Sequence, residues 1–498
     1  MPSTRRANQV VEHPTYMKDI RFYFRPKDIT HMAGFGIALG TYDDVKKRAV
    51  QIYFETKPPH GPMPPGEPWS AEQSDTFENW IRDGCPLGSP DAQGTRESAA
   101  EETESAGGRL RKDVTALHPD ELDVLRKAFS GLMERDASQP SSYFGLAGVH
   151  GLPQQWCAHH VDPFNPWHRI YLHQFEDELR TVPGCENVTL AYWDFTTPLP
   201  EVLQQPPFDA YTLTEDPGAG ASPPVSDPDY KPPFTTQRFT PEQILQNMQQ
   251  NGVIDDINTS LGQPRWGSYN TNGYQDFSIQ AHDGGHDSIG PTMQDQNIAS
   301  YDPVFWFFHT NIDRLWMGWQ TIVGATTLAG FKSTVDDAGW LSPPVNGLPP
   351  LAMTSDESIT LGVSYDKLPV KPGVTQLENK VGSIEAARAF TIKPSSPVSV
   401  RVKGINRLNI PGTFRVTLLA DGEPLARRAF FQPKRPRDCG TCREQALINL
   451  DFRIDQDKLL GHKLSVVIDV AGQEGVGHFP LSQAGNPTIN ARLLLDEA

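Results

Sequence analysis

From residue 357 onward the chain alternates apolar and polar positions in short runs: V-S-V-R-V-K-G, G-T-F-R-V-T-L-L-A-D-G, A-L-I-N-L-D-F-R-I, K-L-S-V-V-I-D-V and I-N-A-R-L-L-L-D. A period of two buries one face of each run, and the turn residues between runs predict a β-sandwich-like domain over 357–498. Upstream the period changes. Residues 119–134, a stretch beginning at Pro166, and 302–320 carry helical apolar spacing, with Asp302 placed to cap and Pro303 suited to a first turn. They predict a mainly α-helical domain over 110–356. A smaller N-terminal cap domain is predicted over 18–85, with a capped helix start at 40–45 and a helix over 69–81 capped by Ser70. Where the apolar period is absent we expect no packed element: a tail over 1–17 and an acidic Ser/Gly/Glu/Ala-rich linker over 86–109. The Pro/Gly-rich stretch 198–240 is too long for an ordinary connection and is expected to wrap the surface or border a site. The fold class expected is multidomain α+β.

Composition narrows the partners. The 498 residues carry a net charge of −17, which argues against nucleic acid and anionic membranes. No apolar run approaches the roughly 20 residues needed to span a bilayer. Arg5 and Arg6 lack the apolar stretch that would make them an export signal, so a cytoplasmic protein is expected. Five cysteines in so long a chain do not form a secreted disulfide framework.

Chemistry concentrates in two histidine triplets. G-V-H-G-L-P-Q-Q-W-C-A-H-H-V-D-P-F-N-P-W-H-R supplies His150, His159 and His168; H-D-G-G-H and D-P-V-F-W-F-F-H supply His282, His286 and His309. Six neutral imidazoles suit copper or zinc better than magnesium, calcium or manganese. Three ligands per metal leave a position open for a small molecule. His282 and His286, four apart on a helix, project from one face. Zinc proteases share H-x-x-x-H but follow its first histidine with a glutamate, where this chain has Asp283. His309 lies in an aromatic helix that would otherwise be plain core, so its ring needs partners. Asp313, one turn on, is expected to hold its ring N–H, and Glu176, two turns after His168, to serve the other triplet similarly. His160 and His173 do not fit the pattern and are expected in supporting or solvated positions; His13, His31, His60, His118, His462 and His478 are expected to be ordinary.

At this point a resemblance becomes specific. H-G-L-P…C-x-H…P-W-H-R-x-Y-L…F-E, then H-x-x-x-H and D-P-V-F-W-x-x-H-x-N-x-D-R-L-W, resembles the tyrosinase, catechol oxidase and molluscan haemocyanin superfamily over roughly residues 110–330. The resemblance implies a four-helix core around a type-3 centre of two copper ions that handles O2. One copper would be held by His150, His159 and His168, the other by His282, His286 and His309. It implies oxidation of small o-diphenols to o-quinones together with ortho-hydroxylation of monophenols. A catechol oxidase without the hydroxylase activity, or a haemocyanin-like O2-binding protein, would use the same ligands. A homo-oligomer and a copper chaperone are left open as partners.

The resemblance also assigns roles to neighbouring residues. Cys157, two before His159, would form a thioether with that ring; the alternative is a free buried thiol. Phe305 resembles an aromatic gate against which a phenol stacks. Asp283 stands where many hydroxylating members have asparagine, and could itself act as base. The partner glutamate of those members has only weak counterparts in Gln275 and Asp276. Asp287 occupies a position that tunes substrate preference, and an anion there should disfavour carboxylated phenols. Cys439-Gly-Thr-Cys442 resembles a C-x-x-C used for copper delivery in some fungal tyrosinases, with a structural disulfide or free thiols as the other readings. Cys85 and Cys185 are expected either to pair with each other or to stay reduced. The C-terminal domain is expected as a shield over the copper pocket, with Phe430 and Phe431 as the residues that could reach it.

Overall fold

A computed structural model describes residues 10–24, 42–56, 69–82, 85–87, 109–221, 224–267, 273–343, 353–370 and 397–493, with positions 29, 32, 39, 345, 390–391 and 496–497. They fall in two compact units: Met1–Gly108 with Leu348–Met353, and Arg109–Gly347 with Thr354–Ala498. The start of the predicted tail, most of the predicted linker, Gly40, Thr41, His31 and His60 lie outside the described residues. The first unit contains the helices Tyr42–Lys47, Ala49–Thr56 and Ala71–Arg82 around Ile20, Val45, Trp69, Phe77 and Trp80. Ser70 and Gln73 exchange backbone-to-side-chain bonds, which satisfies the first free N–H groups of the third helix as expected.

In the second unit four helices carry five of the six histidines: Tyr143–His150, Phe164–Leu179, Tyr274–Ile289 and Val304–Val323. The second of these begins two residues before Pro166, because a proline in the first turn removes only an N–H that has no helical partner. The last begins after Pro303, and Asp302 Oδ1 accepts from Val304 N at 3.0 Å, fulfilling the expected cap. Two glycines inside the H-D-G-G-H helix let it be crossed closely. A Cβ on Gly285 would lie 2.5 Å from Phe308, and one on Gly284 2.9 Å from Val253. The helices are clamped by buried charge. Arg111, on the strand Arg109–Arg111, donates to both Glu176 oxygens and to Asp313, and Arg169 donates to the other Asp313 oxygen at 2.6 Å. The 198–240 stretch is pinned as well: Tyr230 donates to Asp295 at 2.6 Å and Arg238 pairs with Asp302.

The C-terminal part is a sandwich of two antiparallel three-stranded sheets. One orders Leu464–Val470, Phe414–Ala420 and Glu423–Phe430; the other orders Thr488–Leu493, Pro397–Asn406 and Leu447–Asp455. Val400, Val402, Phe414, Val416, Phe452 and Ile468 fill the space between them. Five strands match the alternating runs. Glu423–Phe430 was not predicted, because its E-P-L-A-R-R-A-F lacks the apolar alternation; Arg427 and Arg428 instead bond to Asn251 in the helical region.

Candidate metal centre

The helices bring both triplets to one buried point. His159, on the loop between the first two helices, joins the five helical rings, and every one of the six is at most 6% exposed. Ligand atoms of His150, His168 and His309, of His159, His168 and His282, and of His282, His286 and His309 lie within 4.8 Å of one another in each set. His150 Nε2 is 3.3 Å from His159 Nε2, and His286 Nε2 is 3.1 Å from His309 Nε2. The rings of His168 and His309 stack at 4.5 Å. So many facing imidazole nitrogens are unfavourable by themselves. They fit metal cations: among the described residues, Nε2 of His168 and of His282 is buried without a partner. His168 Nδ1 meets the Phe164 carbonyl at 2.7 Å, His286 Nδ1 the Met293 carbonyl at 2.9 Å, and His282 Nδ1 Asp283 at 2.9 Å. Each of these bonds makes Nδ1 the donor and turns the Nε2 lone pair inward.

Two expected supports are therefore corrected. Glu176 and Asp313 do not hold His168 or His309; they neutralise Arg109, Arg111 and Arg169. Two turns and one turn along a helix carry those carboxylates past the rings and into the arginine clamp. Burial would raise the Glu176 carboxyl, but Arg111 and Arg109 outweigh it and hold it down to about 2. His168 instead uses a carbonyl one turn back in its own helix.

The C-terminal sandwich reaches the centre directly. Phe431 follows the unpredicted strand, and its ring stacks on His286 at 4.0 Å and 15°, while standing edge-on to His159 and His282. Phe430 stacks on His160 at 4.2 Å and 10°. His160 lies next to a ligand histidine in a left-handed conformation, φ +58°. Its Nε2 is 2.7 Å from Asp283 Oδ2, which also accepts Phe431 N–H at 3.1 Å. Asp283 thus joins His282, His160 and the incoming strand. Burial pushes its carboxyl up, but His160 and His282 prevail and keep it below the usual carboxylate range. Asp287 is not a free anion: Arg415 grips both its oxygens, at 2.7 and 3.0 Å, and Asn251 adds a bond at 2.9 Å. Sequence reasoning missed Arg415; the only signal was a cation on a strand whose apolar alternation was otherwise regular.

Phe305 is fully buried and packs on His309 at 4.2 Å and His150 at 4.8 Å, whereas the ring under Phe431 is His286. Gln275 donates to the Val161 carbonyl. Cys157 Sγ is within 4.8 Å of His150 and His159 ligand atoms and accepts from Gln296 at 3.1 Å; burial raises its thiol to about 12. A cavity of about 270 Å³ opens beside it, walled by Trp156, Trp167, Trp340 and Thr441. Cys439 and Cys442 form a disulfide, while Cys85 and Cys185 are free. His118 caps a helix, and His462 and His478 pair with Asp421 and Asp469.

Residues 140–322 match the common central domain of tyrosinase. Among curated proteins the chain is 28% identical over 256 residues to "Hemocyanin G-type, units Oda to Odg" of Enteroctopus dofleini, covering 45% of this chain and 8% of that one. It is 30% identical over 233 residues to "Hemocyanin type 2 unit e" of Rapana venosa, covering 43% and 54%. Among solved structures it is similar to the tyrosinase from Burkholderia thailandensis, with a TM-score of 0.56 at 19% identity over 77% of this chain and all of that one. The central segment is thus similar to the tyrosinase and hemocyanin family, which binds two copper ions. No helix among the described residues is long and apolar enough to cross a membrane.

Burial first, and then the neighbouring rings, push the conjugate acids of His150, His159 and His309 well below the ordinary imidazole value, and burial carries His168 to about 3. The unfolded chain takes up protons near pH 6.5 that the native rings refuse. Metal-free protein is therefore expected to lose stability as pH falls below about 6.5, by up to about 1.4 kcal/mol per pH unit for each ring. Calorimetry at pH 5 should record uptake of several protons on unfolding; uptake of fewer than one would contradict the buried neutral cluster.

Proposed function

We propose that the protein is a copper-dependent phenol oxidase that uses O2 to convert o-diphenols to o-quinones and hydroxylates monophenols, and that its C-terminal domain keeps it latent. His150, His159 and His168 would hold one copper, and His282, His286 and His309 the other. When bound, the metals would supply the site for O2 and pass to it the electrons that the phenol gives up. The observation that carries the reading is Phe431, an aromatic ring stacked on a ligand histidine where a phenol ring would lie. A histidine face that seats an aromatic ring favours a phenol oxidase, although the curated relatives are hemocyanins.

The protein groups divide the remaining work. His286 offers the face on which a substrate ring stacks. Displacing Phe431 withdraws its N–H from Asp283 Oδ2, and that oxygen, still paired with His160, can then accept a hydrogen bond that orients a phenol hydroxyl. Phe305 confines the rings of His150 and His309 and keeps water from them. Cys157 is near enough to His159 for a thioether that would fix the ring without giving the metal a thiolate. Withdrawing the sandwich would also take Arg415 from Asp287 and leave a carboxylate beside His286.

Copper-loaded full-length protein should take up O2 slowly with catechol, and proteolytic trimming or Phe431→Gly should raise kcat/KM on the order of tenfold or more, since the buried ring must otherwise leave first. Absence of uptake by the trimmed, copper-loaded protein would leave the O2-binding reading instead. After trimming, tyramine should be oxidised faster than the matching phenolic acid, and Asp287→Asn should narrow that ratio; an acid preference would refute the role of Asp287. Intact mass of the copper-matured protein should fall short of the sequence by the two hydrogens of a Cys157–His159 thioether, beyond those lost at Cys439–Cys442, and Cys157→Ala should abolish that deficit.

A further inference from the structure

The Cys439–Cys442 pair is unabsorbed by this chemistry, yet its surroundings are built. Cys439 is half-buried, the intervening Gly440 and Thr441 are exposed, and Cys442 is 2% exposed. Against Cys442 lies Arg407, itself buried, with Nη2 3.3 Å from the sulfur. The same guanidinium donates through Nε to Gln432 Oε1 at 3.0 Å and lies 4.6 Å over the ring of Phe430. Gln432 in turn ties its segment down by donating to the carbonyls of Ile410 at 2.7 Å and Gly412 at 3.0 Å. One buried cation therefore touches the disulfide and both neighbours of Phe431. A further link runs from the end of the disulfide turn, where Gln445 donates to the His160 carbonyl at 2.9 Å.

We propose that Cys439–Cys442 is a reducible pair that accepts electrons from a dithiol, and that Arg407 relays its opening to Phe430–Gln432, loosening the segment that holds Phe431 over the histidines. A thiolate of the dithiol attacks the sulfur of Cys439, the less buried of the two; the S–S bond breaks and Cys442 leaves as a thiolate beside the Arg407 guanidinium. The second thiol of the reductant then resolves the mixed disulfide. The reductant becomes a disulfide; its two electrons and one proton end on the cysteine pair, with Cys439 as the thiol and Cys442 as the thiolate, and the second proton goes to solvent. A charged sulfur at Cys442 competes for the guanidinium with the neutral Gln432 amide and the Phe430 ring, because a charge-assisted contact is the stronger one in a buried place. The thiol environment is thus read out as the tightness of the shield. The consequence for activity rests on the latent-oxidase reading; the relay itself does not.

The test uses metal-free full-length protein, so that the dithiol has no copper to bind, with dithiothreitol as the reductant. Alkylation and mass spectrometry follow the two cysteines, and amide hydrogen exchange follows Phe430, Phe431 and Gln432. Reduction should speed exchange at those amides by on the order of tenfold or more and leave the Leu464–Val470 strand unchanged. Arg407→Met should slow reduction by on the order of tenfold, by removing the charge that stabilises the leaving thiolate. Unchanged exchange at Phe430–Gln432 after full reduction overturns the relay, and the native protein alone suffices for that measurement. Equal reduction rates in native and Arg407→Met protein overturn the part assigned to Arg407. Because no oxidase activity is read, failure here is distinct from failure of the proposed function.

Discussion

Six imidazoles pointing their nitrogens at one another in a dry interior form an arrangement that the rest of this structure exists to enforce. Without metal it is unfavourable, since unpaired buried acceptors lose water and gain nothing. It holds because backbone carbonyls and Asp283 fix the outward nitrogens of three rings, and because the helices beneath cannot rearrange. The clamp of Arg111, Arg169, Glu176 and Asp313 joins the His168 and His309 helices through charge-assisted bonds with every member buried. Removing one member of such a set leaves a charge unpaired, typically destabilising by about 3–5 kcal/mol. The clamp therefore fixes the metal centre without touching it.

The sandwich depends on the same logic at its edge. Its interior is ordinary apolar packing, but the face turned to the helices carries cations opposite carboxylates: Arg415 on Asp287, Arg428 on Asp256 and Lys434 on Asp295. Polar contacts of this kind fix register and orientation more than they add affinity. That suits a surface that places Phe431 accurately on His286.

Much of this was legible in the chain. Both triplets, the helices that carry His168, His282, His286 and His309, and the strand alternation of the C-terminal domain follow from spacing and period, because ligand geometry and one-sided burial impose local patterns; the short helix Tyr143–His150 does not. The strand Glu423–Phe430 was hidden because Arg427 and Arg428 meet Asn251 and Asp256 of another region, so those positions read as polar. Glu176 and Asp313 misled for a related reason: helical spacing says that a carboxylate is near a ring, and a competing arginine far off in sequence takes it.

Sequence alone determined that this is a two-triplet histidine protein whose ligand set suits copper or zinc, with helical and β-sheet parts, because those features rest on residue identity and short-range periodicity. Tertiary structure alone decided that Phe431 rests on His286, that Arg415 neutralises Asp287, and that Arg407 stands between a disulfide and the Phe430 ring. Each of those joins residues separated by many positions, and long-range pairing leaves no periodic trace in either partner.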